Sequence, residues 1–194
     1  REDARNLVGV ERQILDAPPV VVEPSPTVRS RTPPRLKGIP GRIQAVLARK
    51  GQVILYGPPG TGKTYWALRT ARDQAAYGRF GRAFSELSDE QQELLTSDDG
   101  GRPARLQICT FHPAYGYEDF IEGYRPSIQD GQLIFRRRDG IFKRICDAAG
   151  EGAAGPYYLV IDEINRGDIP RIFGELLTIL EKDKRGQEIR LPLS

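Results

Sequence analysis

Apolar and polar positions follow two different spacings along most of this chain. A helical spacing of apolar residues, helped at one place by an N-cap signal at Ser88 with Gln91 three residues later, predicts helices over residues 39–47, 65–77, 86–96, 141–149 and 169–180. Short apolar or alternating runs predict strands over residues 52–56, 105–111, 157–161 and 188–191. Because strands that alternate with helices form parallel sheets, this order predicts an α/β fold with a parallel sheet and helices on both faces.

Two segments depart from this alternation. Residues 128–137 are typical of a β-hairpin, since Asp130-Gly131 supplies the residue types that a tight turn favours. Residues 1–37 are rich in proline, which resists both helices and central strands, so we interpret them as a linker or the end of an upstream domain. The folded domain is predicted over residues 38–194. Since the chain lacks methionine and begins with Arg1, we interpret it as a fragment of a longer protein.

Composition narrows the class of protein without indicating its chemistry. Of the 194 residues, 39% are hydrophobic and 28% are charged, as in soluble globular proteins. No apolar run approaches the ~18 residues of a membrane helix, so we expect a cytoplasmic protein with no membrane partner. The net charge of +3 is too small to indicate nucleic-acid binding by itself. The two cysteines and one histidine have no metal-ligand spacing, which argues against a zinc site.

A glycine-rich segment stands between the first predicted strand and the helix that follows it. It matches the phosphate-binding pattern G-x-x-x-x-G-K-[ST] and reads Gly57-Pro58-Pro59-Gly60-Thr61-Gly62-Lys63-Thr64. Its glycines let backbone N–H groups approach phosphate, and the helix N-terminus adds a partial positive charge. Lys63 can reach the terminal phosphates, and the Thr64 hydroxyl can hold Mg²⁺. We assign nucleotide binding to this segment and the adjoining Tyr65; the alternative is a glycine-proline turn that matches by chance.

An acidic pair, Asp162 and Glu163, ends the apolar strand predicted at residues 157–161. Ligands collect at the carboxyl ends of parallel strands, so Asp162 is predicted to join Thr64 as a ligand of the Mg²⁺ ion. Glu163 is predicted to orient and deprotonate the attacking water, which makes Glu163 and Lys63 the candidate catalytic residues. The alternative is an ordinary strand that ends in a polar turn.

The next residues, Asn165-Arg166-Gly167-Asp168, nearly match the guanine-reading motif N-K-x-D. They follow directly on the metal-binding strand, at the phosphate end of the site, so we do not assign them to the base. Two interpretations stay open. Either this is a solvated loop in which Asp168 caps the next helix, or Arg166 acts across a subunit boundary.

Three blocks of sequence together resemble McrB and its relatives among the AAA+ proteins. The first, Gly57–Thr64, is shared by many AAA+ proteins. The more specific blocks are Thr110–Pro126 with Asp139–Ile145, and Ile161–Gly167 running into Ile172–Thr178 and Glu181–Arg185. The resemblance covers about residues 38–190.

The resemblance implies a fold, an activity and partners. The fold is a P-loop NTPase core of the AAA+ class, truncated at residue 194 before the sensor 1 strand, the arginine finger and the helical lid. The activity is GTP hydrolysis with Mg²⁺ by a hexameric ring of this chain. The partners are a McrC-like nuclease subunit and DNA, which is contacted through regions outside this chain. The residue pattern alone reaches only an Mg²⁺-dependent NTPase, with GTP or ATP as substrate.

Two other functions compete with a restriction motor. An ATP-dependent chaperone of the MoxR group, which remodels protein complexes, is compatible with residues 162–166, whereas residues 115–125 favour the restriction motor. A regulatory module that only binds nucleotide is disfavoured, because Lys63, Asp162 and Glu163 are all present.

Several remaining residues have a plain structural interpretation. We expect the apolar side chains of the second block to be mostly core: Phe111, Tyr115, Tyr117, Phe120 and Ile121. We expect Trp66 to be a packing residue and His112 to be a polar residue at a strand end. Residues 136–138, three arginines, are interpreted as a solvated charge run in preference to a contact with DNA or a partner.

Overall fold

The computed structural model of the chain describes residues 33–151, 155–180, 184 and 191–193. The α-helices are α1 (Gly38–Lys50), α2 (Lys63–Phe80), α3 (Asp89–Thr96), α4 (Tyr117–Phe120), α5 (Ile141–Gly150) and α6 (Ile169–Phe173). The strands are β1 (Leu106–Thr110), β2 (Glu122–Gln129), β3 (Gln132–Asp139) and β4 (Tyr158–Asp162), and 3₁₀ turns cover Phe84–Glu86, Ile164–Arg166 and Gly174–Ile179. Residues 1–32 of the predicted linker, 181–183 and 185 of the third block, and 188–190 of the last predicted strand lie outside the described residues.

A parallel pair, β1 and β4, lies at the centre of the fold and places Thr110 opposite Asp162 at its carboxyl end. Successive side chains of a strand point to opposite faces. Accordingly, Leu159 and Ile161 pack into one apolar cluster and Tyr158 into another. Both faces of the pair are thus covered, and the predicted α/β fold class is confirmed.

The larger apolar cluster lies next to the carboxyl ends of these strands. Phe111 and Phe120 are fully buried in it, and the ring centroids of Phe120 and Phe173 are 4.8 Å apart. Tyr115 and Tyr117 are half-buried at its rim. The prediction that the aromatic block is mostly core is therefore confirmed. The smaller cluster packs Ala75 and Ala76 of α2 against Leu95 of α3 and against Leu87, which precedes α3.

The strand predicted over residues 52–56 has no pairing in the described structure. Two of its apolar side chains are largely exposed, Ile54 at 74% and Tyr56 at 93%. An apolar run favours a strand, but a strand forms only where a neighbour takes up its backbone hydrogen bonds. No described strand lies beside this segment, so the prediction of a paired strand is wrong for this part of the chain.

The helix predicted over residues 169–180 is shorter than expected. The α-helix α6 ends at Phe173, and the chain continues as a 3₁₀ turn. Gly174 has φ of +51°, which interrupts a right-handed helix. A Cβ atom at this position would also lie 2.9 Å from Cε2 of Tyr117, so a larger residue here would have to displace that ring.

Strands β2 and β3 form an antiparallel hairpin, called the ribbon below, that is longer than predicted. Its turn residues Asp130 and Gly131 have φ of 52° and 76°, the positive values that a two-residue hairpin turn needs. The three arginines at residues 136–138 are exposed, as expected, although Arg137 Nη1 also donates to the carbonyl oxygen of Leu193 at 2.8 Å.

The helix α3 begins at an N-cap that the sequence predicted. The predicted capping box is present at the start of α3, where the backbone N–H of Gln91 donates to Ser88 Oγ at 3.3 Å.

None of the helices in the described part of the chain combines the length and the apolar character that a membrane span requires.

Candidate functional site

The glycine-rich segment Gly57–Thr64, called the phosphate loop below, leads directly into α2. Gly60 and Gly62 have φ of 79° and 75°, values that other residues rarely adopt. A Cβ atom on Gly62 would also lie 3.4 Å from Nε1 of Trp66, a tight contact. The glycines thus fix the path of the loop, and half-buried Trp66 is the packing residue that the sequence predicted.

The ammonium group of Lys63 lies against the phosphate loop. Its Nζ atom donates to the carbonyl oxygens of Gly57 at 2.9 Å and Pro58 at 2.8 Å. Thr61 Oγ1 also donates to Pro58 O at 2.8 Å, which closes the turn. The first helical residue therefore carries its positive charge next to the loop, at the end of α2 where the helix dipole is also positive.

The phosphate loop meets β4 through one hydrogen bond between residues 98 positions apart. Thr64 Oγ1 donates to Asp162 Oδ1 at 3.0 Å, and the backbone N–H of Glu163 donates to the same oxygen at 3.0 Å. Parallel-strand reasoning predicted that Thr64 and Asp162 would come together, and the structure places them in contact.

This pair of oxygen atoms suits a magnesium ion. Hydroxyl and carboxylate oxygens are hard ligands, and Mg²⁺ usually takes one or two protein groups while keeping waters and substrate phosphates. Within the described residues, no group of three His, Cys, Asp or Glu side chains could hold a metal ion. Thr64 and Asp162 offer the sparse donor set that Mg²⁺ tolerates.

Glu163 follows β4 in an uncommon backbone conformation. Its φ of 50° lies in the left-handed region, which non-glycine residues seldom occupy. The Glu163 carboxylate Oε2 accepts from Arg166 Nε at 2.9 Å, and both side chains are substantially exposed. Sequence reasoning missed this contact, although the spacing of three residues across a tight turn was a signal for it.

The helix cap predicted at Asp168, in the segment after Glu163, is present. The Asp168 carboxylate accepts from the backbone N–H of Arg171 at 3.2 Å at the start of α6. Arg166 makes its ion pair with Glu163 of the same chain.

Other candidate residues lie around this edge of the sheet. Thr110 faces Asp162 across the strand pair and is exposed, and sequence reasoning did not single it out. His112, two residues further, is exposed with its ring 5.6 Å from that of Tyr115. Tyr65 was assigned to nucleotide binding. Its hydroxyl accepts a hydrogen bond from Arg69 Nη1, one turn further along α2, at 3.1 Å.

Residues 77–190 match the model of the AAA domain, dynein-related subfamily. The chain belongs to this AAA family. The matched range begins after the phosphate loop, so the assignment of that loop depends on its own sequence and geometry. The predicted resemblance to McrB-like AAA+ proteins is confirmed by the family match together with the relatives described next.

Two relatives of this AAA domain come from restriction systems. The Type IV methyl-directed restriction enzyme EcoKMcrB subunit of Escherichia coli (strain K12) is 39% identical over 155 residues, covering 78% of this chain and 28% of that protein. The Type II restriction enzyme BsuMI component YdiS of Bacillus subtilis (strain 168) is 26% identical over 156 residues, covering 69% of this chain and 38% of that protein. The chain spans well under half the length of either relative.

Proposed function

We propose that this AAA domain binds and hydrolyses a nucleoside triphosphate with Mg²⁺. The observation that carries the proposal is the 3.0 Å contact between Thr64 Oγ1 and Asp162 Oδ1. It joins a phosphate-binding loop to the acidic end of the half-buried strand β4, and these are the two parts that P-loop nucleotide hydrolysis needs in one place.

Each residue of the site has a separate role in the proposed reaction. Backbone N–H groups of the phosphate loop and the ammonium of Lys63 would bind the phosphates, while Thr64 and Asp162 would hold the metal ion. The ion, when bound, offsets the negative charge that the phosphates carry. Glu163 orients the attacking water and takes up its proton. Because Arg166 occupies Oε2 of Glu163, the other carboxylate oxygen is the one proposed to face the water.

The wider function proposed is that of a motor subunit in a DNA restriction complex. The names of two relatives, both restriction enzyme components, support this assignment. By the same resemblance, we propose GTP in preference to ATP, a hexameric ring, a McrC-like nuclease partner, and DNA contacts through regions outside this chain.

A second candidate function is ATP-driven remodelling of protein complexes, as in the MoxR group. Residues 162–166 support it, because this segment is compatible with such a protein as well as with a restriction motor. The two candidates differ in the nucleotide they predict.

Competition for a fluorescent guanine nucleotide tests the proposal and separates the candidates. A restriction motor predicts displacement by GTP at a concentration at least tenfold lower than ATP requires, and binding that strengthens with Mg²⁺. Equal displacement by ATP would favour the remodelling function. The Asp162→Asn variant is the control for the metal: its affinity should no longer depend on Mg²⁺, and retained dependence would contradict the proposed ligand pair.

A further inference from the structure

A second group of cations lies at the end of the strands opposite to the phosphate loop. Arg105 comes immediately before β1, and Tyr157 comes immediately before β4. Arg79 lies in the last turn of α2, the helix that begins with Lys63. A strand of this length spans roughly 16 Å and α2 spans about 27 Å, so this group is well separated from the candidate nucleotide site.

Three guanidinium groups line one cavity at this end of the molecule. Arg79, Arg102 and Arg105 border a space of about 100 Å³, together with Tyr157 and Ser97. This space is several times the ~10–15 Å³ that one water molecule needs by the same measure, so the cavity accommodates a group of a few heavy atoms.

The deepest of these cations, Arg105, is held by groups that do not neutralise its charge. Its Nη1 atom donates to the carbonyl oxygen of Gly155 at 2.7 Å, and its guanidinium lies 4.4 Å from the ring centroid of Tyr157. Burial, together with the positive charges of Arg79 and Arg102, lowers the pKa of Arg105 from its ordinary value. The side chain is therefore fixed in place among like charges.

The nearby acids do not balance the cluster. Among the described ion pairs, Arg102 has one long contact with Glu151 at 3.5 Å, with both side chains more than half exposed, and Arg79 and Arg105 have none. Asp99 is the one carboxylate that lines the cavity. Counting Asp99 and the Glu151 that pairs with Arg102, three positive charges face two negative ones, so the cavity keeps a net positive charge. A phosphate group, which is an anion near neutral pH, suits that excess.

We propose that this cavity is an anion site that binds a phosphate group. The planar guanidinium presents two parallel N–H donors to phosphate oxygens, a geometry that lysine does not offer. Arg105 provides a donor that Tyr157 and Gly155 have already oriented, while the more exposed Arg79 and Arg102 approach the same anion from the rim. The phosphate comes either from a nucleic-acid backbone or from a free phosphate compound. This inference does not depend on the proposed nucleotide site.

The first experiment titrates inorganic phosphate into the 194-residue chain by calorimetry. All proteins carry Lys63→Ala, so that the phosphate loop contributes little. Replacing Arg79 and Arg102 together by Gln should weaken phosphate binding at least tenfold. The matched control replaces Arg42 and Arg49, two exposed arginines of α1, by Gln and should leave affinity within twofold. If the cavity variant binds as tightly as its parent, or the parent does not bind phosphate, the proposal is overturned.

A second experiment identifies the source of the phosphate group. Binding of a short DNA duplex is followed by fluorescence anisotropy over a range of salt concentrations. If the backbone is the source, removing Arg79 and Arg102 should reduce the slope of log affinity against log salt by about two. If the slope does not change while inorganic phosphate binding is lost, the site takes a free phosphate compound. Circular dichroism melting of each variant checks that the fold is intact.

Discussion

The parallel pair β1–β4 and the ribbon β2–β3 are both two-stranded, yet their apolar side chains differ in how far they are exposed to solvent. The pair has apolar clusters on both faces and Phe111 fully buried at its end, whereas the ribbon exposes Phe135 at 64% and Ile128 at 77%. A hydrogen-bonded ladder alone therefore does not position functional side chains. Thr64 and Asp162 meet at the end of a strand whose side chains contact both apolar clusters, and packing of this kind fixes geometry.

The largest effect expected is on stability, from removal of a core ring next to the candidate site. Phe111→Ala deletes a fully buried side chain whose ring lies 5.0 Å from that of Tyr115 and 5.7 Å from that of Phe120. We expect the free energy of unfolding to fall by ~3–5 kcal/mol, measured by urea denaturation. Should this variant not fold, Phe111→Leu provides a milder step. A loss below ~1 kcal/mol for Phe111→Ala would show that packing does not hold this end of the pair.

The second prediction concerns the acidic pair at the end of β4. Glu163→Gln keeps the shape of the side chain and removes its basicity, an interaction that matters only in the transition state. We expect hydrolysis to fall by about 100-fold or more, with nucleotide affinity nearly unchanged. The measurement uses the full-length protein with its proposed nuclease partner. Normal turnover in Glu163→Gln, beside an inactive Asp162→Asn, would place the base elsewhere.

The third prediction concerns the charge beside the phosphate loop. Lys63→Ala should weaken nucleotide binding at least about tenfold, since a charge-assisted hydrogen bond contributes ~1.5–3 kcal/mol. The fold should survive, because Lys63 Nζ donates to the loop carbonyls of Gly57 and Pro58 and is not part of the apolar core. Calorimetry measures the affinity, and Lys37→Ala, which removes an exposed lysine just before α1, is the control. Unchanged affinity would mean that the phosphates bind elsewhere.

The sequence predicted what depends on local chemistry. The capping box at Ser88 and the turn at Asp130-Gly131 are each set by residues within a few positions, and both are present. The helix α2 begins at Lys63, two residues before the predicted start at Tyr65. The contact between Thr64 and Asp162 was also predictable, because parallel strands bring their carboxyl ends to one edge.

What the sequence did not predict depends on distant neighbours. Whether residues 52–56 pair as a strand is decided by another strand beside them, which their own apolar pattern cannot specify. The convergence of Arg79, Arg102 and Arg105 joins three segments that no motif connects. The Arg166–Glu163 contact needs a left-handed backbone at Glu163, a conformation that residue type alone does not indicate.

The smallest effect is expected where the same chemical change is made on the ribbon. Phe135→Ala removes a ring that is already mostly in water, so the free energy of unfolding should stay within about 0.5 kcal/mol of the parent. Urea denaturation under the conditions used for Phe111→Ala makes the two values directly comparable. A loss as large as that of Phe111→Ala would mean that the ribbon is packed in solution and that the contrast between the two strand pairs does not hold.

The bond between Thr64 and Asp162 also determines when, during folding, the chain becomes able to hold a ligand. It closes a loop of 98 residues, and long loops are among the slower contacts to form because their closure costs chain entropy. We expect α2 and the ribbon turn, whose contacts are local, to form before it. Nucleotide-binding competence would then appear late in folding, and a bound nucleotide would stabilise the finished domain without assisting its early intermediates.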